Sequence, residues 1–225
     1  MTQTEQDKAT GLRARLVAAG VELLALEGVH ALTLREIARQ AGVSHGAPRR
    51  YFATHAELLA AIARHGFGEL ATAVGLDAPA AGAGAVRDAA EARTRLERLA
   101  RGYLDFAADR PGMFELMFRH DVMEGSGAEL RRTSLPLFEA VTRLVAAIRP
   151  PAVGTVGTVG ATGSTGSTGS GDDVPPIVVA AALWANLHGL AQLRAWGSLR
   201  LATGADTVEP VLRATLDAHL GPVPR

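Results

Sequence analysis

The chain has 225 residues, 48% of them hydrophobic, and sets 23 Lys and Arg against 23 Asp and Glu, so its formal net charge is zero. A chain of this length buries a proper core as one long domain or two small ones. Its neutral total excludes a histone-like coat while leaving room for a local basic patch. With no cysteine present, disulfides, thiolate zinc sites, iron–sulfur clusters and a cysteine nucleophile are excluded together.

Residues 1–11 are polar and lack the charged-then-apolar order of a signal peptide. The most apolar stretch, 177–191, is broken by Asn186 and His188 and reads as too short to span a bilayer. The expectation is a soluble, cytoplasmic chain with no membrane partner.

In chain order, Leu12, Leu16, Ala19, Leu23 and Leu26 fall at helical spacing, and Gly28 supplies the stop. Thr33 and Glu36 announce a second, short helix through a capping box, ended by Gly42. Ser44 then occupies the N-cap position of a third helix, and Thr54 with Glu57 opens a fourth. Residues 78–85 form an Ala/Gly/Pro connector. Beyond it Leu96, Leu99, Tyr103 and Phe106 trace one face of a long helix that stops before Pro111. The run Met113, Phe114, Leu116, Met117 and Phe118 is almost wholly apolar and reads as buried. A helix over 130–148 should be kinked or interrupted at Pro136. Residues 154–171 repeat glycine at every third position without collagen's prolines, the pattern of a slack linker. Two further helices follow, over 177–201 and 206–219. No alternating strand pattern occurs, so the fold class is all-α.

The segment TLREIARQAGVSHGAPRRYF, residues 33–52, has the form of a helix-turn-helix. Ile37, Ala38, Val43 and Phe52 would hold its helices at a fixed angle, leaving His45, Gly46, Ala47, Pro48, Arg49 and Arg50 exposed on the second helix. The window 33–55 holds Arg35, Arg39, Arg49 and Arg50 against Glu36, a local charge of about +3 in a neutral chain. A DNA-facing end fits this asymmetry. A helical module whose arginine face meets an acidic protein partner fits it too.

The run TLREIARQAGVSHGAPRRYFATHAELLAAI, preceded by Glu27, Gly28 and Val29, closely resembles the N-terminal domain of the TetR family of transcriptional regulators. The resemblance covers residues 12–62. It implies an N-terminal three-helix DNA-binding domain, here 8–65, and a helical effector-binding and dimerisation domain, here 66–222 with a linker at 154–173. It also implies a homodimer on a palindromic operator, joined through the last two helices, and a small-molecule effector. Carried over by position, Thr33 and Ser44 would bond phosphates, His45, Gly46, Ala47 and Pro48 would face bases, and Tyr51 would contact a phosphate. Arg49 stands where the family usually has a phosphate-binding tyrosine, and His55 where it usually has a lysine. Arg50 is expected to make a further phosphate contact.

Trp184, His188 and Gly189, with the run RPGMFELMFRHD, resemble the Trp-His-Gly pattern of one TetR subgroup. Trp184 and His188 share a helix face. With Tyr103, Phe106, Met113, Phe114 and Met117 they could line an apolar pocket for a small, largely hydrophobic ligand, or simply pack a core. His120, Asp121 and Glu124 lie close together but match no metal-ligand spacing. No nucleophile elbow, zinc-protease pair or phosphate loop occurs, so neither an enzyme nor a cofactor is expected.

Overall fold

The computed structural model of the protein describes residues 3–76, 86–123, 125, 127–149 and 174–222. Among them are ten α-helices and no strand, in keeping with the all-α reading. They are α1 (Gln3–Glu27), α2 (Leu34–Gln40), α3 (Pro48–Tyr51), α4 (His55–Ala73), α5 (Ala89–Asp109), α6 (Pro111–Phe118), α7 (Gly127–Ile148), α8 (Pro176–Ala195), α9 (Ser198–Thr203) and α10 (Glu209–Leu220). The expected connector at 78–85 and the glycine repeat at 154–171 lie outside the described residues. Two compact units form, one of Met1–Gly82 with Arg101–Leu137, the other of Ala83–Ala100 with Phe138–Arg225. Helices α5 and α7 therefore each give one end to either unit.

In the first unit, α1 buries Leu16, Ala19, Leu23 and Leu24 and stops at Gly28, whose φ of 82° is the left-handed conformation glycine accepts. Leu26 was expected on the buried face but is 77% exposed, because the stripe drifts to Leu24 as the helix turns. Three glycines let helices pass unusually close. A Cβ on Gly20 would overlap Ile62 Cδ1, so α1 presses directly on α4. One on Gly66 would lie 2.5 Å from Met113 Sδ, and one on Gly112 2.8 Å from the Leu24 carbonyl oxygen. Gly112 thus brings α6 up to the α1 backbone itself, while Gly20 and Gly66 let the side chains of Ile62 and Met113 lie directly on the backbones of α1 and α4. Helix α7 is continuous through Pro136, at the cost of one backbone hydrogen bond.

In the second unit, α8 buries Val179, Ala180, Leu183, Leu187, Leu190 and Ala191, while α10 buries Leu212, Leu216 and Leu220. The predicted helix over 177–201 is broken by Gly197, whose φ of 73° ends α8 and starts α9. Helix α8 also runs four residues past the apolar stretch picked out in the sequence. By length and composition it is apolar enough to cross a membrane, which corrects the expectation that it is too short. Arg93 is a buried cation whose three nitrogens are all engaged. Its Nε meets Glu97 Oε1 at 3.1 Å, its NH1 the Gly221 carbonyl at 2.6 Å, and its NH2 the Asp217 carboxylate. That fork ties α5 to the C-terminal end of α10.

The glycine contacts predict an asymmetry. Gly112→Ala should destabilise by about 1–3 kcal/mol in urea unfolding, because the Leu24 backbone cannot retreat. Gly66→Ala should cost less, since it meets flexible methionines and gains helix propensity.

Candidate nucleic-acid interface

The helix-turn-helix is built by local rules first. Thr33 Oγ1 accepts from the Glu36 N–H at 3.2 Å and starts α2. The reciprocal half of the expected capping box does not form, because Glu36 Oε2 takes Arg39 Nε at 2.6 Å. At α4, Thr54 Oγ1 accepts from the Glu57 N–H at 3.1 Å, and Glu57 reaches back one residue further than the box, to the Ala53 N–H at 2.8 Å. Helix α2 ends in a Schellman motif. Gly42, with φ 66°, donates to the Arg39 carbonyl and Val43 donates to the Ala38 carbonyl.

The second helix starts later than Ser44. The Ser44 carbonyl accepts the Ala47 N–H at 2.9 Å in a tight turn. Pro48 has no N–H to give that carbonyl, so α-helical bonding begins with the Phe52 N–H on the Pro48 carbonyl, also at 2.9 Å. Ser44, His45 and Gly46 are exposed within the turn, Ala47 is partly covered, and Arg49 and Arg50 are exposed on α3. Pro48 and Phe52 are buried.

Two residues of α1 that the sequence analysis passed over hold this unit. Arg15 NH2 donates to the Ala41 carbonyl at 2.7 Å, at the end of α2, and Arg13 NH1 donates to the Tyr51 carbonyl at 3.0 Å, at the end of α3. The Arg13 guanidinium also lies 4.4 Å from the Phe52 ring centroid and 3.7 Å from Glu57 Oε1. Their only sequence signal is a pair of cations on the helix preceding the motif. Of the four arginines in the motif itself, Arg39 is paired with Glu36. Among the described residues, no hydrogen bond or ion pair engages the guanidiniums of Arg35, Arg49 or Arg50.

Elsewhere in this unit α6 carries Met113, Phe114, Leu116 and Met117 inward. Phe114 meets Tyr103 edge-on at 5.3 Å and Phe118 at 5.1 Å, and Phe118 meets Phe67 at 5.9 Å. A cleft of about 230 Å³ is bordered by Leu24, Pro111 and Met113, and one of about 480 Å³ by Thr72, Phe106, Glu69, Asp105, Asp109 and Arg110. Of the five apolar residues nominated here, Met113 therefore borders one cleft and Phe106 the other. Tyr103, Phe114 and Met117 are buried and border neither. The carboxylates of the larger cleft, Glu69, Asp105 and Asp109, carry no motif in the sequence that sets them apart from other polar helix positions. Arg119 grips Asp121 with two bonds of 2.8 Å and holds its carboxyl below the usual range; Glu124 lies outside the described residues.

In the second unit, Trp184 is 42% exposed rather than enclosed, its ring 6.0 Å from that of His188. The apolar inner face of α8 is already filled by Leu183 and Leu187, which turns Trp184 outward. Burial lowers the His188 pKa. Asn186 Nδ2 donates both to the Ala182 carbonyl and to His219 Nε2, each at 3.0 Å. Burial, then the Arg149 charge, lowers the His219 pKa, in keeping with a neutral ring that accepts.

Residues 96–219 match the tetracyclin repressor-like C-terminal domain, and residues 16–62 match the bacterial regulatory proteins of the tetR family. The chain belongs to the TetR family. It is a transcriptional regulator, with the family's DNA-binding domain at its N-terminal end. No curated protein matches it. A protein with unknown function from Rhodococcus sp. RHA1 is similar at 27% identity and a TM-score of 0.64, covering 93% of each chain. A TetR-like transcriptional regulator from the same organism shares the fold at 18% identity and a TM-score of 0.56, over 92% of this chain and 93% of that one. The multidrug binding protein EbrR, solved with imidazole, shares it at 22% and 0.55, over 95% and 96%.

Two TetR-type assignments change with the geometry. Pro48 is buried within the unit, so its ring is not presented to bases. His55 Nε2 lies 2.5 Å from the Leu32 carbonyl, which only an N–H can serve. That bond fastens the entry to α2, and the Nε2–H it uses is not free for a phosphate.

The two shifted histidines fix the sign of a pH effect on this TetR-family chain. Their folded pKa values lie below the ordinary histidine value, so the unfolded state takes up protons first as pH falls. Thermal midpoints should fall between about pH 7.5 and pH 5.5. His219→Gln should flatten that slope in melts followed by circular dichroism.

Proposed function

We propose that the chain is a ligand-responsive repressor that binds a palindromic operator as a homodimer and is released by a small, largely hydrophobic molecule. The observation that carries the reading is the set of exposed, unpaired cations Arg35, Arg49 and Arg50 around a helix-turn-helix whose remaining arginine is neutralised. Unpaired guanidiniums at this density fit a phosphate backbone, and the exposed turn of Ser44, His45, Gly46 and Ala47 fits the floor of a major groove. Thr33, Arg49, Arg50 and Tyr51 are assigned to phosphates. Residues 8–65 are the proposed DNA-binding domain and 66–222 the effector and dimer domain, acting in the cytoplasm.

On the effector side, the reading places the ligand against the apolar side chains of α5 and α6, where Phe106 and Met113 border clefts. EbrR, which shares the fold, is a multidrug binding protein. Because α6 lies on the Leu24 carbonyl of α1 at Gly112 and sets the Met113 side chain directly on the α4 backbone at Gly66, a shift of α6 would reach the helix-turn-helix directly. The dimer is assigned to α8 and α10. Opposite its buried face, α8 exposes Ile177, Val178, Ala181 and Ala185, with Trp196 exposed just past its end, and a Cβ on Gly189 would meet nothing within 4 Å. A second apolar face without a partner fits a helix from another copy.

The test is selection of duplexes from a random-sequence pool by the full chain, followed by anisotropy titrations at several salt concentrations. Enrichment of a palindrome bound by two protomers is expected. Salt-sensitive binding without enrichment would favour the acidic-protein reading. Arg50→Ala should weaken binding on all sequences and lower the salt slope by about 1. Ala185→Arg should convert the dimer to monomer in sedimentation velocity while leaving helical content unchanged.

A further inference from the structure

We infer that Arg13 and Arg15 are positioning residues for DNA reading, two guanidiniums on α1 that fix the pose of α3 relative to α2. The inference rests on the DNA-binding reading above. Helix α3 has four residues and one bond of helical span within it, from the Phe52 N–H to the Pro48 carbonyl. One turn has no orientation of its own to impose, because a helix this short is held by what it packs against. Pro48 and Phe52 anchor its buried side. Its C-terminal end is held by the Arg13 NH1 bond to the Tyr51 carbonyl at 3.0 Å. The corresponding end of α2 is held by the Arg15 NH2 bond to the Ala41 carbonyl at 2.7 Å. Both cations thus sit at the negative ends of helices, on carbonyls that have no helical partner.

The two arginines stand two positions apart on one helix, so both helix ends are referred to a single rigid ruler. Tyr51, whose carbonyl Arg13 holds, is itself a proposed phosphate contact, and Arg49 and Arg50 lie in the same turn. Displacing that carbonyl would tilt α3 and move the proposed base-facing turn of His45, Gly46 and Ala47 that leads into it, while the long side chains of Arg49 and Arg50 can still follow the phosphates. Arg13 is not interchangeable with lysine here. Its planar fork gives NH1 to Tyr51 and sets NH2 3.7 Å from Glu57, while its face covers Phe52 at 4.4 Å. An ammonium supplies the charge but not the three directions together. The donors of Arg13 point into the unit, which separates its role from that of the unpaired Arg35, Arg49 and Arg50.

The experiment measures binding of full-length wild type, Arg13→Lys, Arg15→Lys and the double variant to the duplex selected by wild type and to a scrambled duplex, across salt. Urea unfolding of each accompanies it. Lysine keeps the charge and loses the geometry. The inference expects Arg13→Lys to lower affinity for the selected duplex tenfold or more, with wild-type affinity for the scrambled duplex and an unchanged salt slope. Glu57→Gln, which removes one Arg13 partner but keeps an oxygen for the Ala53 N–H, should give a smaller loss of the same kind. A salt slope lower by about 1 in Arg13→Lys would show a direct phosphate contact and overturn positioning. Equal losses on both duplexes would show a purely structural role and also overturn it. Unchanged affinity for the selected duplex would overturn it alone. If wild type enriches no sequence, the DNA reading fails and this inference goes with it.

Discussion

The passage of α1 across α4 and α6 is the constraint on which the first unit depends. Where Gly112 faces the Leu24 carbonyl there is no side chain to compress, and where Gly20 faces Ile62 a stiff branched side chain lies straight on the α1 backbone. Close-packed surfaces of this kind do not deform gradually. They keep their register or lose it. The consequence is that α1 behaves as a fixed frame, and the short helices of the DNA-binding motif, which carry little cohesion of their own, inherit their geometry from it.

Charge is partitioned along the same line. Arginines on α1 point inward to helix ends at Ala41 and Tyr51, while Arg35, Arg49 and Arg50 are left with water. Composition does not distinguish these roles, since Lys8 is the only lysine in the chain. The second unit uses the same device in a buried form. Arg93 joins the Gly221 carbonyl and the Asp217 carboxylate, so that the last helix is pinned at its end rather than merely packed along its side. In both units a guanidinium closes off carbonyls that a helix cannot satisfy by itself.

What was legible in the sequence is what is decided within four residues. Thr33, Thr54, Gly28 and Gly42 start and stop helices through bonds to near neighbours, and each does so here. The family resemblance was equally local, carried by one uninterrupted run. The start of α3 was misread because the missing N–H of Pro48 forbids a bond that its neighbours alone would favour. Leu26 was misplaced because a heptad-like stripe does not track a 25-residue helix of 3.6 residues per turn. The roles of Arg13, Arg15 and His55 were out of reach altogether. Each bonds a carbonyl 23 to 38 residues away in the chain, and nothing in the neighbouring residues encodes that.

The turn before α3 has one more property. Ser44, His45 and Gly46 carry none of the burial that holds the unit together, and a side chain grown from Gly46 would enter open space. The surface best placed to touch a ligand is therefore the one the fold depends on least. Substitutions there are free to wander without a folding penalty, while Pro48 and Phe52, directly behind, are not. Such a chain can acquire a new preference in a few steps and keep its architecture throughout, which is how one scaffold comes to serve many addresses.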